Sequence, residues 1–204
     1  IVDRKYNTLI CRFATKLTHP VRDEETTLGN LVADLLRDCA ECDVMFMGAG
    51  AIRSKELGPA VTLGDVRACF PFDDSLRRFT ITGSQLLRIF AHIMRPENRD
   101  GEGECYEVSA AVRAVYNDRI KTLESLTING EPVDEDHHYS IGLIGYHVDN
   151  STKNLNITLD ELIRLGGSKI AATSTTGVIE EYFRAHLNLN SRIEGRLVYR
   201  DFCS

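Results

Sequence analysis

Apolar residues in the segment "ETTLGNLVADLLRDCA" fall at Leu28, Leu31, Val32, Leu35 and Leu36, the i, i+3, i+4, i+7, i+8 spacing that lines one face of a 3.6-residue helix. The pattern predicts an amphipathic helix. Thr27 is placed to cap it, with Glu24 and Glu25 near the positive end of its dipole. The next run, "DVMFMGAG", is short and apolar without alternation, the pattern of a strand covered on both faces. "TLGDVRACF" predicts a short helix with Thr62 as cap and Asp65 in the first turn, stopped at Pro71. Beyond the turn "PFDDS", "LRRFTITG" alternates as a strand, and "SQLLRIFAHIMR" predicts a helix from a Ser84 cap to Pro96. Residues 97 to 104, "ENRDGEGE", read as a polar loop.

The second half is richer in strands. "YEVSAAVRAVYN", "TLESLTING" and "HHYSIGLIGYHV" carry strand patterns, and "NGEPVDED" supplies turn chemistry between the last two. Two helices, "TLDELIRLG" and "TTGVIEEYFRAHL", and a closing strand, "GRLVYR", complete the chain. The alternation predicts an α/β fold with a mixed sheet and helices packed on it. Residues 1–20 read as a lead-in from a preceding domain and residues 21–204 as one domain, without internal repeats or low-complexity tracts.

Composition sharpens this picture at three points. The 204 residues are 43% hydrophobic and 26% charged, enough for a substantial core and far from the signature of disorder. A net charge of -6 gives no broad positive field, which argues against a nucleic acid polymer as partner and leaves room for a small anion held by local arginines. No apolar run approaches the length of a bilayer span, so no membrane contact is expected. The six cysteines (Cys11, Cys39, Cys42, Cys69, Cys105, Cys203) are scattered. They favour a reducing compartment, cytoplasmic over periplasmic or secreted.

Catalytic chemistry is not visible in these residues. Cys39 and Cys42 form a single CxxC without a second pair to complete a zinc set. The histidines (His19, His92, His137, His138, His147, His186) are dispersed, and His137-His138 reads as a solvated turn. Neither HExxH, GxSxG nor GxxxxGK[ST] occurs. Asp73 and Asp74 follow Pro71-Phe72 in a turn, where Asp is favoured for local backbone bonding rather than acid–base work.

Four ordered stretches, "ETTLGNLVADLL", "MGAGAIR", "VRACFPFDDSLRRFTITGSQLLRIF" and "GECYEVSAAVRAVYN", resemble the C-terminal domain of the 5'-nucleotidase family, which includes UDP-sugar hydrolases and 2',3'-cyclic-nucleotide phosphodiesterases. The resemblance implies a layered α/β/β/α fold. It also implies a role: an N-terminal metallophosphoesterase domain, absent here, holds two divalent metal ions and hydrolyses, while the C-terminal domain grips the nucleoside. A nucleotide or related phosphoester is then the expected ligand, and that N-terminal domain the expected partner. No metal, cofactor or catalytic residue is expected in this chain.

The same resemblance supplies candidate binding residues. The family loop NGGGIR corresponds to residues 48–53, so Arg53 matches the family arginine while Gly48 stands where the family has Asn. Gly48 and Gly50 let backbone approach a ligand or a neighbouring helix, and Arg53 presents a guanidinium suited to carboxylate or phosphate. The alternative is a turn in which Arg53 pairs with Asp34 or Asp65. Of the two aromatics that sandwich the base in the family, one matches Tyr146. The other falls at Leu76, and Phe72 reads as core. The family's acidic sugar-holding position falls on Thr152 in "NSTKN", and Arg22 matches an arginine near the substrate, or is a surface charge balanced by Asp23 and Glu24. These departures keep a second reading open, a non-catalytic module that binds another small anion or a protein. Metal motifs in the sequence preceding Ile1 would separate the two.

Overall fold

Alternation in one strand, β3, decides how the molecule is layered, and the elements around it follow in chain order. In this computed structural model residues 5–99 and 103–200 are described. The chain begins with β1 (Leu9–Arg12), β2 (Leu17–Thr18), α1 (Thr27–Ala40), β3 (Val44–Gly48) and a 3-10 turn at Ala49–Ala51. It continues through β4 (Glu56–Leu57), β5 (Ala60–Thr62), α2 (Leu63–Cys69), β6 (Leu76–Thr82), α3 (Gly83–Ile93) and α4 (Pro96–Arg99). The second half runs β7 (Tyr106–Val108), β8 (Val112–Asn117), β9 (Thr122–Ile128), β10 (Glu131–Pro132) and β11 (His138–Ile144). After these come α5 (Gly145–Asp149), α6 (Ser151–Leu155), α7 (Leu159–Ile163), β12 (Lys169–Ala172), α8 (Thr175–Ala185) and β13 (Leu197–Arg200).

The central sheet has the order β12-β6-β11-β3-β7 and is mixed, because β3 and β11 are parallel while the other neighbours are antiparallel. All five residues of β3 are buried. Successive side chains point to opposite faces, so Met45 and Met47 enter one core with α1, α2 and α8, while Val44 and Phe46 enter a second with α3. That second core is closed by a four-stranded sheet of order β10-β9-β8-β13. The α/β class with mixed sheets is therefore the observed one.

Local chemistry moved several boundaries from their sequence positions. The cap of α1 is Thr26, one residue before the predicted Thr27, and its hydroxyl accepts from Gly29 N. α3 starts at Gly83 under Thr82, where a reciprocal capping box with Gln85 outcompetes Ser84. Thr62 and Asp65 form the box expected for α2. The segment 106–117 is two strands of different sheets, turned at residues 109–111. The strand read through "HHYSIGLIGYHV" ends at Ile144, where α5 begins. Residues 97–99 of the predicted polar loop fall in the short helix α4, and residues 100–102 and Cys203 lie outside the described residues. Strands β1 and β2, within the segment read as a lead-in, pair with β5 and β4 and place Ile10, Cys11 and Leu17 in the first core.

Candidate functional site

The C-terminal ends of β3 and β11 and the turn before β6 converge on one side of the central sheet, and between them lies a cavity of about 500 Å³. Its chemistry comes from Arg22, Arg53, Phe72, Glu104, Tyr146 and His147. Phe72 is 62% exposed and Tyr146 55% exposed, a cost in apolar hydration that ordinary packing would have removed.

The Asp73-Asp74 turn builds the mouth of this cleft. Asp74 accepts from Tyr146 N at 2.7 Å and from Ser75 N at 2.6 Å, and its backbone carbonyl accepts from Thr175 N at 2.8 Å. Asp73 accepts from Ser174 Oγ and from Thr176 N. Two carboxylates thus tie the turn to the first residues of α5 and α8; of these bonds only that from Ser75 N is of the local kind anticipated for them. Gly145 is required here, since a Cβ would overlap the Asp74 carboxylate.

The Gly48–Arg53 segment forms the opposite wall. Ala49 N donates to Cys105 O and Arg53 N to Cys69 O. At Gly50 a Cβ would stand at ordinary contact distance, 3.4 Å from Glu104 Oε1 and 3.6 Å from Arg22 Nη1, so a carboxylate and a guanidinium flank this residue. Arg53 is exposed, donates to Gly50 O at 3.3 Å and lies over the Phe72 ring at 5.5 Å. The alternative partners are engaged elsewhere: Asp34 binds Arg196, and Asp65 caps α2. Behind the wall, His19 Nε2 bonds Ala49 O at 3.0 Å, its Nδ1 meets Thr26 Oγ1 at 2.8 Å, and Thr26 Oγ1 donates to Glu107 Oε1 at 2.7 Å. This buried chain fastens the wall to the start of α1.

Two groups at the floor have shifted acidities. Burial pushes the Glu104 carboxyl up, opposed by the Arg22 charge and a hydrogen bond from the Gly50 backbone. Burial pushes His147 down to about 4, against the pull of Asp74, which keeps its imidazole neutral at pH 7. Its Nδ1 lies 2.9 Å from the Tyr106 hydroxyl, which is itself held protonated by burial.

The structure thus brings Arg22, Gly50, Arg53 and Tyr146 to one cleft. Gly48 stands behind it, in contact with His147. Leu76 is fully buried in the first core and offers no face to a ligand; Phe72 occupies the mouth instead, correcting both readings. The reason is positional: Phe72 stands in the turn before β6, whereas Leu76 is the first residue of the strand and pairs with Ile144. Thr152 is exposed on α6 and does not line the cavity. Glu104 and His147 were not foreseen, and the signal that marked them was Gly48 inside an otherwise apolar strand.

Comparison with known proteins rests on this geometry. The family described as 5'-nucleotidase, C-terminal domain matches residues 9–158. The chain belongs to that family. A probable 5'-nucleotidase of Treponema pallidum is 22% identical over 201 residues, covering 89% of this chain and 34% of the relative. The 5'-nucleotidase precursor of Thermus thermophilus superposes with a TM-score of 0.80 at 19% identity over 97% of this chain and 40% of its own. The NAD nucleotidase of Haemophilus influenzae superposes with a TM-score of 0.77 at 15% identity, over 97% and 39%. At those identities the likeness is one of fold. This 5'-nucleotidase C-terminal domain spans about a third to two fifths of the length of these relatives.

Proposed function

We propose that this domain is the substrate-recognition part of a two-domain phosphohydrolase acting on nucleotides or related phosphoesters. The observation that carries the reading is the pairing of two exposed aromatic rings, Phe72 and Tyr146, with two arginines, Arg22 and Arg53, around one cavity. A nucleobase has two π-faces, and stacking contributes about 1–3 kcal/mol per base. The guanidinium forks suit the anionic part of the same ligand. Among the described residues no three His, Cys, Asp or Glu side chains group as a metal site. The reading places the two divalent ions implied by the family, and the hydrolytic step, on the N-terminal domain expected as partner.

Calorimetric titration with nucleosides and nucleotides tests the assignment. Phe72→Ala and Tyr146→Ala should each weaken nucleoside binding by about 5- to 100-fold, and Arg53→Ala should weaken nucleotides more than nucleosides. Equal heats for the wild type and all three variants would remove the cleft from ligand binding.

A further inference from the structure

Gly48 stands where the family loop has asparagine, yet its backbone, at φ -60° and ψ 121°, makes no demand for glycine. Its side-chain space is already taken. A Cβ at position 48 would overlap the His147 ring at Nε2 and lie 3.0 Å from Glu104 Oε1, so a ring nitrogen and a carboxylate oxygen converge on the place a residue-48 side chain would occupy.

The hydrogen-bond chain behind His147 fixes what that nitrogen offers. Tyr106 is buried, and among the described residues its hydroxyl has His147 as its hydrogen-bond partner. The hydroxyl hydrogen then has His147 Nδ1, 2.9 Å away, as its acceptor. A neutral imidazole that accepts at Nδ1 carries its hydrogen on Nε2. His147 is only 2% exposed and lines the cavity. No hydrogen bond of its Nε2 to a described residue is found, so this nitrogen, on a ring that lines the cavity, is left for a ligand or solvent.

We propose that His147 Nε2–H and Glu104 Oε1 form a donor–acceptor pair that reads the polar edge of the bound ring, taking over the place vacated at Gly48. This rests on the nucleotide reading of the cleft and deepens it. The pair calls for an acceptor beside a donor on one planar edge. Adenine presents this on both sides of its amino group, with a ring nitrogen flanking it each way; the N7/O6 edge of guanine offers two acceptors, and its O6/N1–H edge presents the pair with ring and exocyclic positions exchanged. Glu104 takes the amino hydrogen, and His147 donates to the flanking nitrogen.

Titrating the wild-type chain with adenosine, 1-deazaadenosine, 7-deazaadenosine and purine riboside tests the pair atom by atom. Removing the nitrogen that meets His147 should weaken binding by about tenfold or more for one of the two deaza analogues. In His147→Ala that difference should vanish. Adding Gly48→Asn to His147→Ala should restore it, because the amide enters the vacated space. Purine riboside, which lacks the amino group, should bind more weakly than adenosine to the wild type, with the gap narrowed in Glu104→Ala. Circular dichroism and the thermal midpoint establish that each variant is folded. If both deaza analogues bind as tightly as adenosine, or the loss persists in His147→Ala, the pair is refuted while the cleft reading stands. If no nucleoside binds at all, both fall.

Discussion

At the scale of single residues, His147 is the most informative group, because its environment sets both its charge and its direction. Its folded value of about 4 lies below the ordinary 6.5. The unfolded chain therefore binds more protons between those values, and the stability the neutral ring contributes is full above about pH 6.5 and lost as pH falls towards 4. The loss approaches about 3 kcal/mol. Glu104, shifted upward, acts in the opposite sense, its contribution falling as pH rises. Urea denaturation of wild type and His147→Ala across pH 4 to 7 isolates the histidine: the wild-type curve should lose stability on the acid side relative to the variant, and parallel curves would contradict the assignment. Arg53 and Tyr146, the candidates that the family loop and the second aromatic position supplied, both line the cavity. Phe72 was not legible in the sequence, since a Phe after Pro in a turn looks like a core anchor until the fold leaves it uncovered. His147 was hidden by its apolar neighbours, which extend the β11 pattern past the point where the Asp74 carboxylate starts a helix.

At the scale of elements, caps explain what periodicity could not place. The apolar stripes located α1, α2 and α3, but which hydroxyl caps each helix depends on the partner it finds. Thr82 gains Gln85 in return and Thr26 gains Glu107 and His19, partners from outside its own helix. The two caps therefore differ in consequence. Thr82→Ala should cost about 1 kcal/mol, the usual loss of a cap. Thr26→Ala removes a cap and also strands a buried carboxylate and imidazole without their shared hydroxyl, adding about 1–3 kcal/mol. Urea midpoints for the two variants measure the contrast, and equal losses would mean that the His19–Thr26–Glu107 chain does not hold the wall of the cleft.

At the scale of the whole molecule, β3 joins two cores and ends where the ligand wall begins, so the cleft is placed by the same alternation that builds the fold. Arg196, just before β13, reaches back to Asp34 of α1 with both Nη atoms and to Val108 O of β7, and this buried fork connects the end of the chain to its middle. Such long-range pairing is not written in local pattern, which is why periodicity showed the class of fold and the order of elements, while the two-sheet layering was implied only by the family resemblance. The central claim is that a planar ring sits between Phe72 and Tyr146 with its anionic end towards the arginines. A crystal structure of the chain grown with AMP measures it directly. The account predicts the base stacked between those two rings and the phosphate on the Arg53 side; a nucleotide bound elsewhere, or a cleft left empty at saturating AMP, would contradict it.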